Sequence, residues 1–167
     1  MKFLTLAAAA AALSLAGAAY AQPAVPAGDN SFAQKAAAAG LSEVAEAKIA
    51  VDKAANPQVK QFAQQMITDH TKANNQLTQI AEGKSLSLPM EPTKRDQKQA
   101  SKLQNESGAR FDRDYVRDQL AAHKQAVALF KRESEHGKDA DLKQFASETL
   151  PILQHHLEMV EQLAAAK

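Results

Sequence analysis

The stretch from Asn56 to His70, NPQVKQFAQQMITDH, decides the fold. It opens on a helix break. Asn56 suits a cap, and Pro57 suits the first position of a new helix, where its missing N–H costs nothing. Val59, Phe62 and Met66 then recur at helical spacing, and Ala73, Leu77 and Ile80 continue the stripe. This helix is expected from about Pro57 to Glu82, ending at Gly83. His70 falls at the centre of its apolar stripe, with Asp69 at the edge.

The word KQFA at residues 60–63 returns letter for letter at 143–146. The polar residues around the two copies also fall in the same order. The first series reads Phe32, Glu43, Asn56-Pro57, KQFA, His70, and the second Phe111, His123, Gly137, KQFA, His155-His156. Each series reads as a helical hairpin. The first helix is expected from about Phe32 to Ala55, favoured by its many alanines and capped by Asp29, Asn30 or Ser31. Residues 83–93, GKSLSLPMEPT, read as a crossover loop, followed by a polar helical stretch from Thr93 or Lys94 to about Ser107. Gly108 marks a break. The next helix is expected over about 109–135, with Gly137 offering a left-handed cap, and the last over about 140–165, kinked or widened at Pro151. No strand is expected. Two short turns around one long crossover give an all-α, ferritin-like four-helix bundle made of two hairpins.

Projected at about 100° per residue, each long helix carries one ionisable group on its apolar face. These are Glu43, His70, His123 and His156, whereas His155 points away and His136 sits in a turn. Their distances from the two turns agree to within about one helical turn of 5.4 Å, so antiparallel packing brings all four near one level. Buried ionisable groups are costly unless paired or ligated. One reading is a metal site of one carboxylate and three imidazoles for iron, zinc, manganese or copper, with Asp69, Asp112 and Tyr115 orienting the imidazoles. The other is a buried polar network that sets helix register, with Asp112 and Tyr115 bonding to the histidines. Di-iron chemistry is disfavoured. Ferritin-like carboxylate proteins use Glu-x-x-His on two helices, but Ile67, Ile152 and Leu153 stand three residues before His70, His155 and His156.

The segment MKFLTLAAAAAALSLAGAAYAQ reads as a secretory signal peptide, residues 1–21, with cleavage before Gln22. Residues 22–30 are expected to be a flexible linker and 31–167 one helical domain. Lys2 is the one charge in the leader, so the mature chain keeps 19 of 20 basic residues against 19 acidic ones. That balance argues against nucleic-acid or anionic-membrane binding. The mature chain has no run long enough for a transmembrane segment and no cysteine, so stability must come from packing in a periplasmic protein.

SFAQKAAAAGLSEVAEAKIA, NPQVKQFAQQMITDH, SGARFDRDYVRDQLAAH and LKQFASETLPILQHHLEMV together resemble the DUF4142 family of exported bacterial proteins, a domain of unknown function often labelled "predicted outer membrane protein". The resemblance spans about residues 30–165 and implies a ferritin-like fold without an established activity. Its typical polar and aromatic positions match at Glu43, Asp69, His70, Phe111, Asp112, Tyr115, His123 and His156. The membrane label finds no support, because the alternating strands of a barrel are absent from the sequence. The chain has no Ser/His/Asp word, phosphate loop or zinc-protease helix motif, so no reaction is assigned. Three functions compete: a periplasmic metal-binding or redox-stress bundle, a non-enzymatic envelope-stress or interaction protein with structural histidines, and a small-molecule binder using room left by the alanines of the first helix.

Overall fold

A computed structural model describes residues 24–166. The expected signal peptide, residues 1–21, lies outside the described residues. All regular structure among the described residues is helical: α1 (Ala27–Lys53), α2 (Pro57–Gly83), α3 (Lys94–Gln104), α4 (Gly108–His136) and α5 (Ala140–Ala165). Among them no helix is long and apolar enough to cross a membrane. α1 packs along α2 and α4 along α5, and the two hairpins meet through α1 against α4 and α2 against α5. The short α3 belongs to the crossover and lies mainly on α1.

Local chemistry accounts for most of the boundaries. The Asn56 side chain accepts from Gln58 N at 2.8 Å, and Pro57 begins α2. Thr93 caps α3 by accepting from Asp96 N at 3.3 Å. Asp139 caps α5, accepting from Asp141 N and Leu142 N at 3.1 Å each. Gly108 takes φ of 59° at the start of α4, a conformation that glycine adopts without a steric penalty. α5 runs on through Pro151, whose ring faces solvent.

Two expectations about ends are corrected. α1 begins at Ala27, inside the stretch expected as a linker, and Pro26 precedes it without a side-chain cap. Asp29 does not cap α1. Its carboxylate reaches across to the α4–α5 turn and accepts from Lys138 N at 2.9 Å and from Asp139 N. Gly137 is not left-handed: its φ is −55°. A glycine is needed there for space, because a Cβ would lie 2.6 Å from the Glu133 carbonyl oxygen.

Asp112 makes the matching contact at the opposite end. It accepts from Ala55 N at 3.0 Å and Asn56 N at 2.9 Å, pinning the α1–α2 turn to the start of α4. The aromatic residues follow the same exchange. Phe32 on α1 meets Phe145 on α5 at 6.3 Å between ring centroids, and Tyr115 on α4, one turn beyond Phe111, meets Phe62 on α2 at 6.3 Å. Each KQFA phenylalanine therefore seals one end of the molecule.

These ends are two separate apolar cores. One gathers Ala47, Val59, Phe62, Met66, Phe111, Tyr115 and Val160, and the other Phe32, Leu77, Phe130, Leu142, Phe145 and Leu153. Along every long helix the residues between the cores are polar: Glu43 and Glu46, His70, Gln119 and His123, and His156.

Phe62 and Phe145 are 1% and 2% exposed. Phe62→Ala and Phe145→Ala should each lower the free energy of unfolding by roughly 3–5 kcal/mol in urea titrations. A negligible loss at either would show that the repeat has no structural counterpart. Asp29→Ala and Asp112→Ala should each cost about 1–3 kcal/mol by the same measurement, because each leaves two turn N–H groups without their carboxylate.

Candidate metal centre

The polar level between the cores holds one residue from each long helix: Glu43, His70, His123 and His156, all at most 5% exposed. The three imidazole rings lie 5.3–5.7 Å apart between centroids. One ring nitrogen from each lies within 4.8 Å of the other two.

Hydrogen bonding sorts the nitrogens of each ring. His123 Nδ1 stands 2.9 Å from the Gln119 carbonyl oxygen, one turn back on α4. A carbonyl only accepts, so this nitrogen carries the proton and Nε2 keeps its lone pair. His156 Nε2 donates to Asp69 Oδ2 at 2.8 Å across the α2–α5 interface, which leaves Nδ1 as the free nitrogen. His70 Nδ1 meets Glu43 Oε2 at 3.0 Å, leaving Nε2. The three remaining nitrogens, His70 Nε2, His123 Nε2 and His156 Nδ1, are buried without a hydrogen-bond partner. Each histidine is thus held from behind by an oxygen, the arrangement that fixes tautomer and ring orientation in metal-binding imidazoles.

Glu43 has a different place from the one expected. It stands behind His70, and the group of converging donor atoms consists of the three imidazoles. Its second oxygen, Oε1, is buried, has no hydrogen-bond partner, and lies 4.0 Å from His123 Nδ1. Asp69 stands at His156 as described. Asp112 is not at the centre. Both of its oxygens serve the α1–α2 turn, and eleven residues of helix, about 16 Å at 1.5 Å per residue, separate it from His123. Tyr115 stacks on Phe111 at 5.9 Å, and its hydroxyl has no hydrogen-bond partner, so it orients no histidine. His155 and His136 are exposed.

Two polar residues escaped the sequence reading. Gln119 Nε2 donates to Glu46 Oε2 at 2.9 Å, and Ser42 Oγ donates to Glu46 Oε1 at 3.4 Å. Their spacing carried a signal: Glu46 lies one turn after Glu43 and Gln119 one turn before His123, on the same faces.

Burial and charge oppose one another across this level. Burial, the largest single influence, would raise the Glu43 carboxyl, but the imidazoles of His70, His123 and His156 together outweigh it and the net shift is downward. Burial would lower His70, and Glu43 reverses that to a net rise. His123 is lowered by burial. His156 falls to about 4, again through burial, although Asp69 resists it. Tyr115 is raised by burial and by the charges of Glu46 and Glu43. Glu46 is raised to about 7 by burial, despite the Gln119 amide. Three imidazoles with unshared inner nitrogens can ligate a borderline or soft cation once His70, which Glu43 biases toward its protonated form, has released its proton. Bonds of about 2.0–2.1 Å set two ligand nitrogens roughly 3.3–4.2 Å apart, so binding would draw the rings inward by about an ångström.

Glu46 gives this level a pH signature. Its carboxyl holds its proton more tightly when folded, so the associated stability is complete below about 4.5 and is lost as pH rises toward and through about 7. Glu46→Gln keeps the shape and removes the titration. It should match the wild-type stability at pH 4 and exceed it at pH 8 by up to about 3 kcal/mol in denaturant titrations. Parallel pH profiles for the two proteins would contradict the burial argument.

Comparison with known proteins agrees on the helical fold. No curated protein matches the sequence. The crystal structure of a DUF305 fragment from Deinococcus radiodurans superposes with a TM-score of 0.75 at 12% identity, covering 87% of this chain and all of that one. CopM in its Cu(I)-bound form gives 0.67 at 16% identity, covering 80% of this chain and 93% of that one. CopM in its Cu(II)-bound form gives 0.68 at 17%, covering 82% and 95%. At such identities the likeness is one of fold. The sequence itself matches a family described as a domain of unknown function, DUF4142, over residues 14–163, nearly its whole length. The chain therefore belongs to the DUF4142 family.

Proposed function

We propose that this protein is an exported, periplasmic four-helix bundle of the ferritin-like kind that binds one transition-metal ion between His70, His123 and His156. The observation that carries the reading is the trio of buried inner nitrogens without partners, each on a ring anchored from behind. A core with no use for these nitrogens gains nothing by leaving them unsatisfied. An all-imidazole donor set favours copper or zinc over manganese, and iron remains compatible with it. The fold shared with CopM, whose structures hold Cu(I) and Cu(II), supports copper as the first metal to test. Glu43 and Asp69 orient His70 and His156, and Glu43 also supplies negative charge beside the ion. Export rests on the leader at residues 1–21, and protein recovered from the native host should begin at Gln22.

Full-length mature protein titrated with copper, zinc, iron(II) and manganese should bind one ion per chain, as read by elemental analysis after desalting. His70→Ala should weaken binding by more than Asp69→Asn, for which a loss of roughly 10–100-fold is expected. Protein that stays metal-free with all four ions would support the polar-network reading instead. In that case His70→Ala would act on stability alone, at about 1–3 kcal/mol for each buried partner left unsatisfied.

Affinity should also depend on pH. The ion needs neutral imidazoles, so protons compete with it, and that competition begins above the ordinary histidine value of about 6.5 because Glu43 raises His70. His70, raised by Glu43, is the first to be protonated on acidification, and His156 the last. Isothermal titrations at pH 8, 7 and 6 should show that order of decreasing affinity, and constant affinity across the range would rule out ligation by His70.

A further inference from the structure

A cleft of about 530 Å³ opens between α1, α3 and α4 and has Glu43 and Glu46 among its lining residues. We propose that this cleft is the route by which a cation reaches the three histidines, with Glu46 receiving it and Glu43 Oε1 passing it inward. The inference rests on the metal-binding reading above.

Charge is graded along the cleft. Near its mouth the acids already have cationic partners: Asp96 is bonded by Arg95 at 3.1 Å, and Asp118 by Arg117 at 3.0 Å. At its inner end Glu46 is held by neutral groups, the Gln119 amide and the Ser42 hydroxyl. Among the described residues Glu46 forms no ion pair. Beyond it lies Glu43 Oε1, buried with no hydrogen-bond partner, on the same side chain whose other oxygen touches His70. Lys35 and Arg95 also line the cleft, so an arriving cation is drawn to the one carboxylate at its inner end that, among the described residues, has no cationic partner, that of Glu46. Toward the core that holds Phe62 the histidines are covered, the Phe62 ring lying 6.2 Å from His123 and 6.4 Å from His156 between centroids. The roof is light. Thr93, Arg95, Asp96 and Gln99 of the α3 end line the cleft, but α3 buries only Leu103.

The test is the rate of loading, measured separately from its extent. Metal-free, full-length mature protein is mixed with copper(II) sulfate at pH 8, where Glu46 is ionised, in a stopped-flow instrument, and the copper absorption is followed to its end point. Glu46→Gln removes the receiving charge. Ala122→Phe fills the cleft from a half-buried position on its wall. Each should slow loading by about tenfold or more, while the final copper content stays at one per chain. The Glu46→Gln effect should shrink in high salt, as a steering effect does. Either variant alone suffices if the other fails to fold. Variants that load as fast as wild type would overturn the route and leave the metal site standing. Wild-type protein that takes up no copper, zinc, iron or manganese would overturn the site, and the route with it.

Discussion

The contact between Glu43 and His70 is the constraint around which the rest of the molecule is arranged. A carboxylate and an imidazole meet at 3.0 Å with almost no exposure to water. Burying either alone would be strongly unfavourable, and the pair is tolerated because each shifts the other toward its charged form. The pair also divides the interior. Apolar residues collect on either side of it into two cores, and the four long helices must keep one register for their polar residues to share that level. A slip of one helical turn in any of them would carry a histidine or carboxylate into a core of phenylalanine, leucine and alanine.

The same register decides what the site can do. Each histidine spends one nitrogen on an oxygen outside the cluster and keeps the other inside it. For His123 that oxygen comes from its own helix, so the ring is set locally. For His70 and His156 it comes from a neighbouring helix, so these rings are placed by the association of α1 with α2 and of α2 with α5. The contacts that align the helices therefore also decide which ring nitrogens face the cluster. A metal ion would tighten an arrangement that packing has already nearly closed.

The two hairpins are related more deeply than their repeated tetrapeptide. Asp29 and Asp112 stand in the first turns of the leading helix of each hairpin and clamp the turn of the other. Phe62 and Phe145 seal opposite ends. The site breaks this relation. Glu43 occupies on α1 the level that His123 occupies on α4, so the second hairpin offers two imidazoles and the first offers one imidazole with a carboxylate behind it. That asymmetry puts a buried carboxylate, Glu43, on the side where the cleft beneath α3 opens, while the carboxylate of Asp69 stands behind His156.

Much of this was legible in the residues. Periodicity, alanine content, Asn56-Pro57 and the glycines locate the helices to within a few residues, because those signals act within one or two turns of chain. The choice of Glu43, His70, His123 and His156 as inward residues is likewise a local matter, since an apolar stripe defines its own centre. What depended on tertiary structure was which partner each polar atom would find. Asp112 sits on the same face as His123, yet its oxygens go to a turn that lies 56 residues earlier in the chain. Asp29 appears to the sequence as a cap and is instead a clamp reaching the far turn. Glu43 reads as a ligand and stands behind His70, while Glu46 and Gln119 pass as ordinary polar residues until α1 and α4 bring them together. Helical periodicity fixes the direction in which a side chain leaves its own axis, but a hydrogen bond between helices is set by the distance, register and rotation of two axes together, and only the folded structure determines those.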